Sequence, residues 1–253
     1  MNWLARLLGA DRTIGQRTSG LPTSSNRASS FHLAWRWDGP PPDLVEVGAT
    51  LTVVERPVVD RLSFWALQAS FVEGPPPGRR HGAGHAGLQH HPGHPGGTAV
   101  NWGGYGTDGR ELSGSTSSLR SALRNANTRD LDWEPGRPYR LSINQGDGGW
   151  AASVDGLVIR ELRTGGDRLA NILVWSEVFA ACDDPSSTVR WSELSGITPT
   201  GEVVSPVAVE TRYQAVADGG CSNTSSDPDG AGGILQSTNI ARTTPPGTLL
   251  ALR

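Results

Sequence analysis

Two copies of one tripeptide, Trp175-Ser176-Glu177 and Trp191-Ser192-Glu193, lie in runs of strand-forming residues, with the turn-rich Cys182-Asp183-Asp184-Pro185 between them. Side chains alternate across a strand, so each copy sets its Trp and its Glu on one face. An indole beside a carboxylate suits a ligand that is half apolar and half polar, such as a sugar: the ring stacks and the carboxylate accepts from hydroxyls. The competing reading places both Trp in the core and both Glu at a rim or against Arg, because Trp is highly buried on average. On neighbouring strands in register, Glu177 and Glu193 would form a catalytic pair. A slip of one residue would turn one of them to the far face.

A second group lies upstream. Five of the six His residues, His81, His85, His90, His91 and His94, fall in one Gly- and Pro-rich window. Imidazoles suit Zn, Cu or Ni, but Pro92, Gly93 and Pro95 forbid the helix that would align His90 with His94, and no third ligand is dictated. The expectation is no metal and no cofactor, with one imidazole, His90, serving as general base or ligand contact from a solvated loop. Nearby, Asn101-Trp102-Gly103-Gly104-Tyr105 joins a strand to a Gly pair that admits close approach of a ligand or another backbone. Gln89 and Asn101 offer amide donors and acceptors, and Trp102 and Tyr105 offer stacking faces; the alternative buries Trp102. Arg124, Asn125, Asn127, Arg129 and Asp130 form a polar cluster after the expected short helix: a solvated loop, a cap on that helix or the mouth of a cleft.

All 22 basic residues are Arg, which removes Schiff-base and phosphate-loop lysine chemistry. A net charge of −3 and a pI near 6.1, with Arg scattered apart from Arg79-Arg80, leave no footprint for nucleic acid. No apolar run approaches the ~18 residues of a membrane span. The start, Met1-Asn2-Trp3-Leu4-Ala5-Arg6-Leu7-Leu8-Gly9, offers at most two amphipathic helical turns and no cleavable signal. It therefore reads as cytoplasmic, with export by another route left open. Cys182 and Cys221, the only cysteines, are expected within bridging distance, Cα atoms about 4.4–6.8 Å apart, although a reducing compartment would keep them as thiols. The expected partner is a glycan or small-molecule ligand, with no membrane and no nucleic acid.

The elements that position these groups should be strands. Period-2 alternation predicts them over residues 31–37, 44–55, 62–72, 86–90, 99–102, 139–144, 150–154, 157–162, 171–181, 188–197, 203–217, 234–240 and 248–252. Asp155-Gly156 is a two-residue hairpin signal, because both central positions need positive φ. Residues 115–127, with Leu119 and Leu123 four apart and no Gly or Pro, predict one short helix. Residues 1–30 read as an irregular lead-in and 31–253 as one domain. This is an all-β chain with less than about a tenth helix: a two-sheet antiparallel jelly-roll β-sandwich with one short helix.

The order of elements, above all Tyr139-Arg140-Leu141-Ser142-Ile143, then Trp150-Ala151-Ala152-Ser153-Val154-Asp155-Gly156 and Leu157-Val158-Ile159-Arg160-Glu161, resembles the concanavalin A-like jelly roll of legume lectins and laminarinase-type glucanases. The chain also looks like an actinobacterial type. It departs from the glucanases in lacking their Glu-x-Asp-x-x-Glu run, which supplies two carboxylates ~5 Å apart. Three functions stand against each other. One is a carbohydrate-binding sandwich presenting Trp175, Glu177, Trp191 and Glu193 on its concave face. The second is an enzyme in the same cleft, a glycan hydrolase or lyase or a cofactor-independent cyclase or isomerase. The third is a structural or assembly protein.

Overall fold

Between Ser63 and Glu73, odd positions carry Trp65, Leu67, Ala69 and Phe71 while even positions carry Phe64, Ala66, Gln68 and Ser70. Two largely apolar faces on one strand require cover on both sides. The computed structural model describes residues 15–252, so the amphipathic start of the chain lies outside the described residues. Sixteen strands among them are, in chain order, β1 (Ser29–Arg36), β2 (Glu46–Val53), β3 (Ser63–Glu73), β4 (Arg79–His90), β5 (Thr98–Gly106), β6 (Thr128–Asp130), β7 (Pro138–Gln145), β8 (Trp150–Val154), β9 (Leu157–Leu162), β10 (Arg168–Val178), β11 (Thr188–Ile197), β12 (Val203–Val204), β13 (Ala208–Tyr213), β14 (Ser225–Pro228), β15 (Ile234–Ser237) and β16 (Leu249–Ala251). The first sheet runs β16-β13-β1-β10-β3-β4-β5-β6 and the second β14-β15-β11-β2-β7-β8-β9, with β12 on β11. Every strand pairing is antiparallel, so the expected β-sandwich is the observed one.

The core lies between the sheets. Leu33, Trp65, Leu67, Phe71, Leu88 and Trp102 from the first meet Leu51, Leu141, Ile143, Trp150 and Trp191 from the second. Full burial of a large apolar side chain contributes roughly 1.5–3 kcal/mol. Phe71 stacks on Trp150 at 5.5 Å and meets Trp102 edge-on at 6.2 Å. Trp102 Nε1 donates to the Trp150 carbonyl at 3.2 Å, which joins the two layers at a polar point. These rings explain why a Gly- and His-rich segment forms the twelve-residue β4 rather than the short strand expected over 86–90. A Cβ on Gly84 would come within 2.7 Å of both the Phe71 and the Trp102 rings, so only a bare Cα lets them close over the strand.

The expected helix over residues 115–127 is absent; the helical elements among the described residues are 3₁₀ turns at Pro95–Gly97 and Val216–Asp218. Residues 115–127 are tied to strands instead, with Ser115 N donating to the Glu161 carbonyl and Asp130 N to the Arg120 carbonyl. Leu119 packs against the core but Leu123 stays 44% exposed, so a helix would gain little burial. Ser side chains offer the backbone competing partners, as Ser117 Oγ does for Leu119 N, and isolated short helices are marginal.

Cys182 and Cys221 form a disulfide, their Cα atoms 5.6 Å apart, within the expected range. It ties the segment after β10 to the one after β13 across a sequence separation of 39. Reduction, or replacement of both Cys by Ser, should lower unfolding free energy by about 2–4 kcal/mol in urea titrations with and without reductant.

Candidate functional site

Register sets three rows of side chains across the outer face of the first sheet. Glu177 lies opposite Ser30 on β1 and Phe64 on β3, and Phe64 lies opposite Gln89 on β4. The next row is His32, Trp175, Ala66, Gly87 and Asn101. A third is Leu173, Gln68, His85 and Gly103. Ala66 and Gly87 put no bulk in the middle of the second row, and a cavity of about 470 Å³ opens over this face. A side chain at Gly87 is excluded by the main chain, since its Cβ would overlap the Trp65 carbonyl oxygen. Asn26 stands at one end of the cavity, and Tyr105, Glu111, Asn125 and Asn127 at the other.

The floor is an aromatic cluster. Phe64 and Trp175 meet edge-on at 4.9 Å, and His85 packs edge-on against both, at 5.6 and 5.8 Å. Trp175 is only 7% exposed, so it presents little of its indole to the cavity. Its Nε1 donates to Gln68 Oε1 at 3.1 Å, which turns the Gln68 amide so that Nε2 is left to donate. Glu177 Oε1 accepts from Asn26 Nδ2 at 2.7 Å and from Ser30 Oγ at 3.2 Å, and among the described residues no hydrogen bond falls on Oε2. Burial pushes the Glu177 carboxyl above the ordinary 4.5, against the pull of those two donors.

His32 and His85 are held down at about 4, by burial in both cases and also by Arg212 for His32, so both are neutral at pH 7. His94 is likewise lowered to about 4 by burial, then by His91 and His90. Unfolded imidazoles take protons near 6.5 and these folded ones near 4, so the unfolded state binds more protons between those values. Stability should therefore fall as pH drops from about 6.5 to 4, read as a declining thermal midpoint. Glu177 acts in the opposite sense just above pH 4.5, as one group against three.

Of the residues singled out in the sequence, Gln89, Asn101, Tyr105, Trp175 and Glu177 line this cavity. Trp102, Trp191, Glu193 and His90 do not. Trp102 faces the core and is fully buried, as is Trp191, whose strand β11 belongs to the other sheet. Glu193 sits where β11 slips register against β2, with φ +52°, and this bulge turns it out of the alternation onto the outer surface of the second sheet. There Thr50 Oγ1 donates to its carboxylate at 2.6 Å. The pairing of Glu177 with Glu193 is thus overturned. His90 follows Ala86 and Leu88 onto the inward side of β4 and is buried at the end of the sandwich. Among the described residues no three His, Cys, Asp or Glu side chains are grouped to hold a metal ion.

Asn125 and Asn127, from the polar cluster for which a cleft mouth is one reading, also line it; Asn26, Ser30, His32, Gln68 and His85 belong to the cavity too and were not singled out in that role. The available signal was a polar residue on the second face of an apolar strand, as with Gln68 between Ala66 and Ser70. Asn26 had no such signal, because it comes from the irregular segment before β1.

No protein-family model matches this sequence, and no curated protein sequence matches it. Among solved structures, the chain is similar to SCP-B, a member of the eqolisin family of peptidases in complex with the tripeptide Ala-Ile-His, with 10% identity over 88% of this chain and 100% of that one and a TM-score of 0.40. It is similar to scytalido-glutamic peptidase with a transition-state analog inhibitor, with 12% identity over 84% and 98% and a TM-score of 0.44. It is similar to the kappa-carrageenase of Pseudoalteromonas carrageenovora in complex with an oligotetrasaccharide of kappa-carrageenan, with 9% identity over 90% and 88% and a TM-score of 0.33.

Proposed function

We propose that this protein is a hydrolase that cleaves an amide bond in an extended peptide laid across the first sheet, with Glu177 as acid-base group and Gln89 as oxyanion donor. The observation that carries this reading is the row Glu177, Phe64, Gln89. Two strand spacings, about 10 Å, separate the outer Cα atoms, so the two polar residues flank one aromatic residue and line one cavity. Glu177 Oε2 takes a proton from water as the water oxygen bonds to the carbonyl carbon, and Gln89 Nε2 donates to the developing oxyanion. The proton then passes from Glu177 to the amide nitrogen as the C–N bond breaks, releasing an acid and an amine. A carboxyl with a raised pKa suits both roles.

Glycoside hydrolysis needs a second carboxylate about 5–9.5 Å from the first. The other carboxylate on the cavity, Glu111, is held by Asn127 beyond β5. β5 is three strand spacings from β10, about 14 Å at the backbone. A second reading, a carbohydrate-binding cleft, is favoured by the amide-rich lining of Gln68, Gln89, Asn101, Asn125 and Asn127 beside Tyr105, 54% exposed. Sugar hydroxyls pair well with such amides.

The disulfide supports action in an oxidising compartment over the cytoplasmic expectation. Among the described residues no helix is long and apolar enough to cross a membrane. The test is incubation with a mixed peptide library between pH 4 and 7, with products read by mass spectrometry, beside a glycan array. Defined cleavage products support the hydrolase; glycan binding with every peptide intact would replace it with the second reading.

A further inference from the structure

A second cavity, of about 510 Å³, lies behind the far wall of the cleft. The two share Glu111, Asn125 and Asn127. The partition is a hydrogen bond from Asn127 Nδ2 to Glu111 Oε1, and Asn127 Oδ1 accepts in turn from Arg160 Nη1 at 3.0 Å. Arg160, on β9, is 4% exposed and lines the second cavity. Nη1 also donates to the Ala126 carbonyl at 2.7 Å, but among the described residues the enclosed Nε has no partner and Nη2 makes no hydrogen bond. Among the described residues Arg160 has no ion pair. Gly114 makes room for it, since a Cβ there would overlap Nη2.

Glu111 is the carboxylate that faces Arg160 across this cavity, but it makes no ion pair with it and already accepts from Asn127, so the buried guanidinium is only partly compensated. With Nη1 engaged and Nε enclosed, Nη2 is the guanidinium nitrogen left to donate to a carboxylate, in a charge-assisted hydrogen bond. Arg124, exposed and lining the same cavity, adds a second positive charge and among the described residues makes no side-chain hydrogen bond.

We infer that this cavity is a carboxylate subsite that takes the C-terminus of the peptide, with Arg160 and Arg124 as its cations and Glu111 accepting from the last backbone N–H. The assignment rests on the peptide-hydrolase reading. A C-terminal residue is the peptide group that offers an N–H donor and a carboxylate side by side, matching an acceptor that shares its cavity with two guanidinium groups. From Phe64, which stands between Glu177 and Gln89, the partition lies two to three strand spacings away, about 10–14 Å. That span equals three or four extended residues, so the enzyme should trim short fragments of that length from C-termini.

The test compares one hexapeptide with a free C-terminus and the same peptide amidated. The free acid should be turned over with kcat/KM about tenfold higher or more, as expected for a charge-assisted contact. The advantage should shrink in R124A, which disturbs no packing, and disappear in R160Q. Mass spectrometry should show tri- or tetrapeptide products. Equal turnover of acid and amide by the wild-type protein overturns the proposal, as does a preference unchanged in R124A and R160Q. Fluorescence anisotropy of N-terminally labelled peptides on E177Q separates the two readings. Arg-dependent binding of the acid without cleavage by the wild-type protein would defeat the hydrolase and support the subsite; cleavage without acid preference would do the reverse.

Discussion

Replacing Glu177 by Gln should cut peptide turnover by 10²-fold or more while leaving the cleft intact. The amide oxygen still accepts from Asn26 Nδ2 and Ser30 Oγ, so the shape and hydrogen bonds of the carboxyl survive. What is lost is the ability to take a proton from water and return it to the leaving nitrogen. Folding should not suffer, since burial already disfavours the charged form of Glu177. As general base Glu177 works ionised, so wild-type kcat/KM should rise with pH along a limb centred above the ordinary glutamate 4.5, and E177Q should lack that limb. Q89A should also lose turnover but keep the limb, because it removes an oxyanion donor and leaves the titrating group in place. Turnover within threefold of wild type in E177Q would remove Glu177 from the chemistry.

The sandwich was legible because burial on both faces of a strand leaves a period-2 record, and Asp155-Gly156 takes the two positive φ values its turn requires, 50° and 78°. β4 was only partly legible. Its Gly residues read as turn formers in isolation, whereas Gly84 is small because the Phe71 and Trp102 rings occupy the space a side chain would need. The helix over residues 115–127 was read from local pattern, and tertiary partners for that backbone overrode it. In the site, alternation within one strand correctly put Trp175 and Glu177 on one face. Alternation cannot report which sheet a strand joins or where a bulge breaks the period, and those two events removed Trp191 and Glu193 from the cleft. Gln89 and Asn101 could be found because amides on an apolar strand need a reason. Asn26 is positioned by chain that has no periodicity.

The repeated tripeptide yields the other large effect, because identical local sequence meets opposite environments. Trp191→Ala should cost about 3–5 kcal/mol of stability, measured by urea unfolding, since the indole is fully buried between the sheets. It also removes a polar junction. Trp191 Nε1 and Ser176 Oγ both donate to Gln236 Oε1 at 2.8 Å, and Gln236 Nε2 donates to the Phe31 carbonyl at 3.1 Å. The two tripeptides therefore meet back to back through Gln236, one from each sheet. Trp175→Ala opens a gap at the cavity floor, and solvent or ligand can fill it, so its effect on folding should be smaller than that of Trp191→Ala. Its effect on ligand should be larger: loss of the indole frees Gln68, removes the edge-on partner of Phe64 and His85, and should weaken binding by ~1–3 kcal/mol. Folded W191A, assayed well below its melting point, should bind nearly as tightly as wild type. If W191A weakened binding as much as W175A at full occupancy of the folded state, Trp191 would have to face the ligand, and the assignment of the two tripeptides to core and cleft would be wrong.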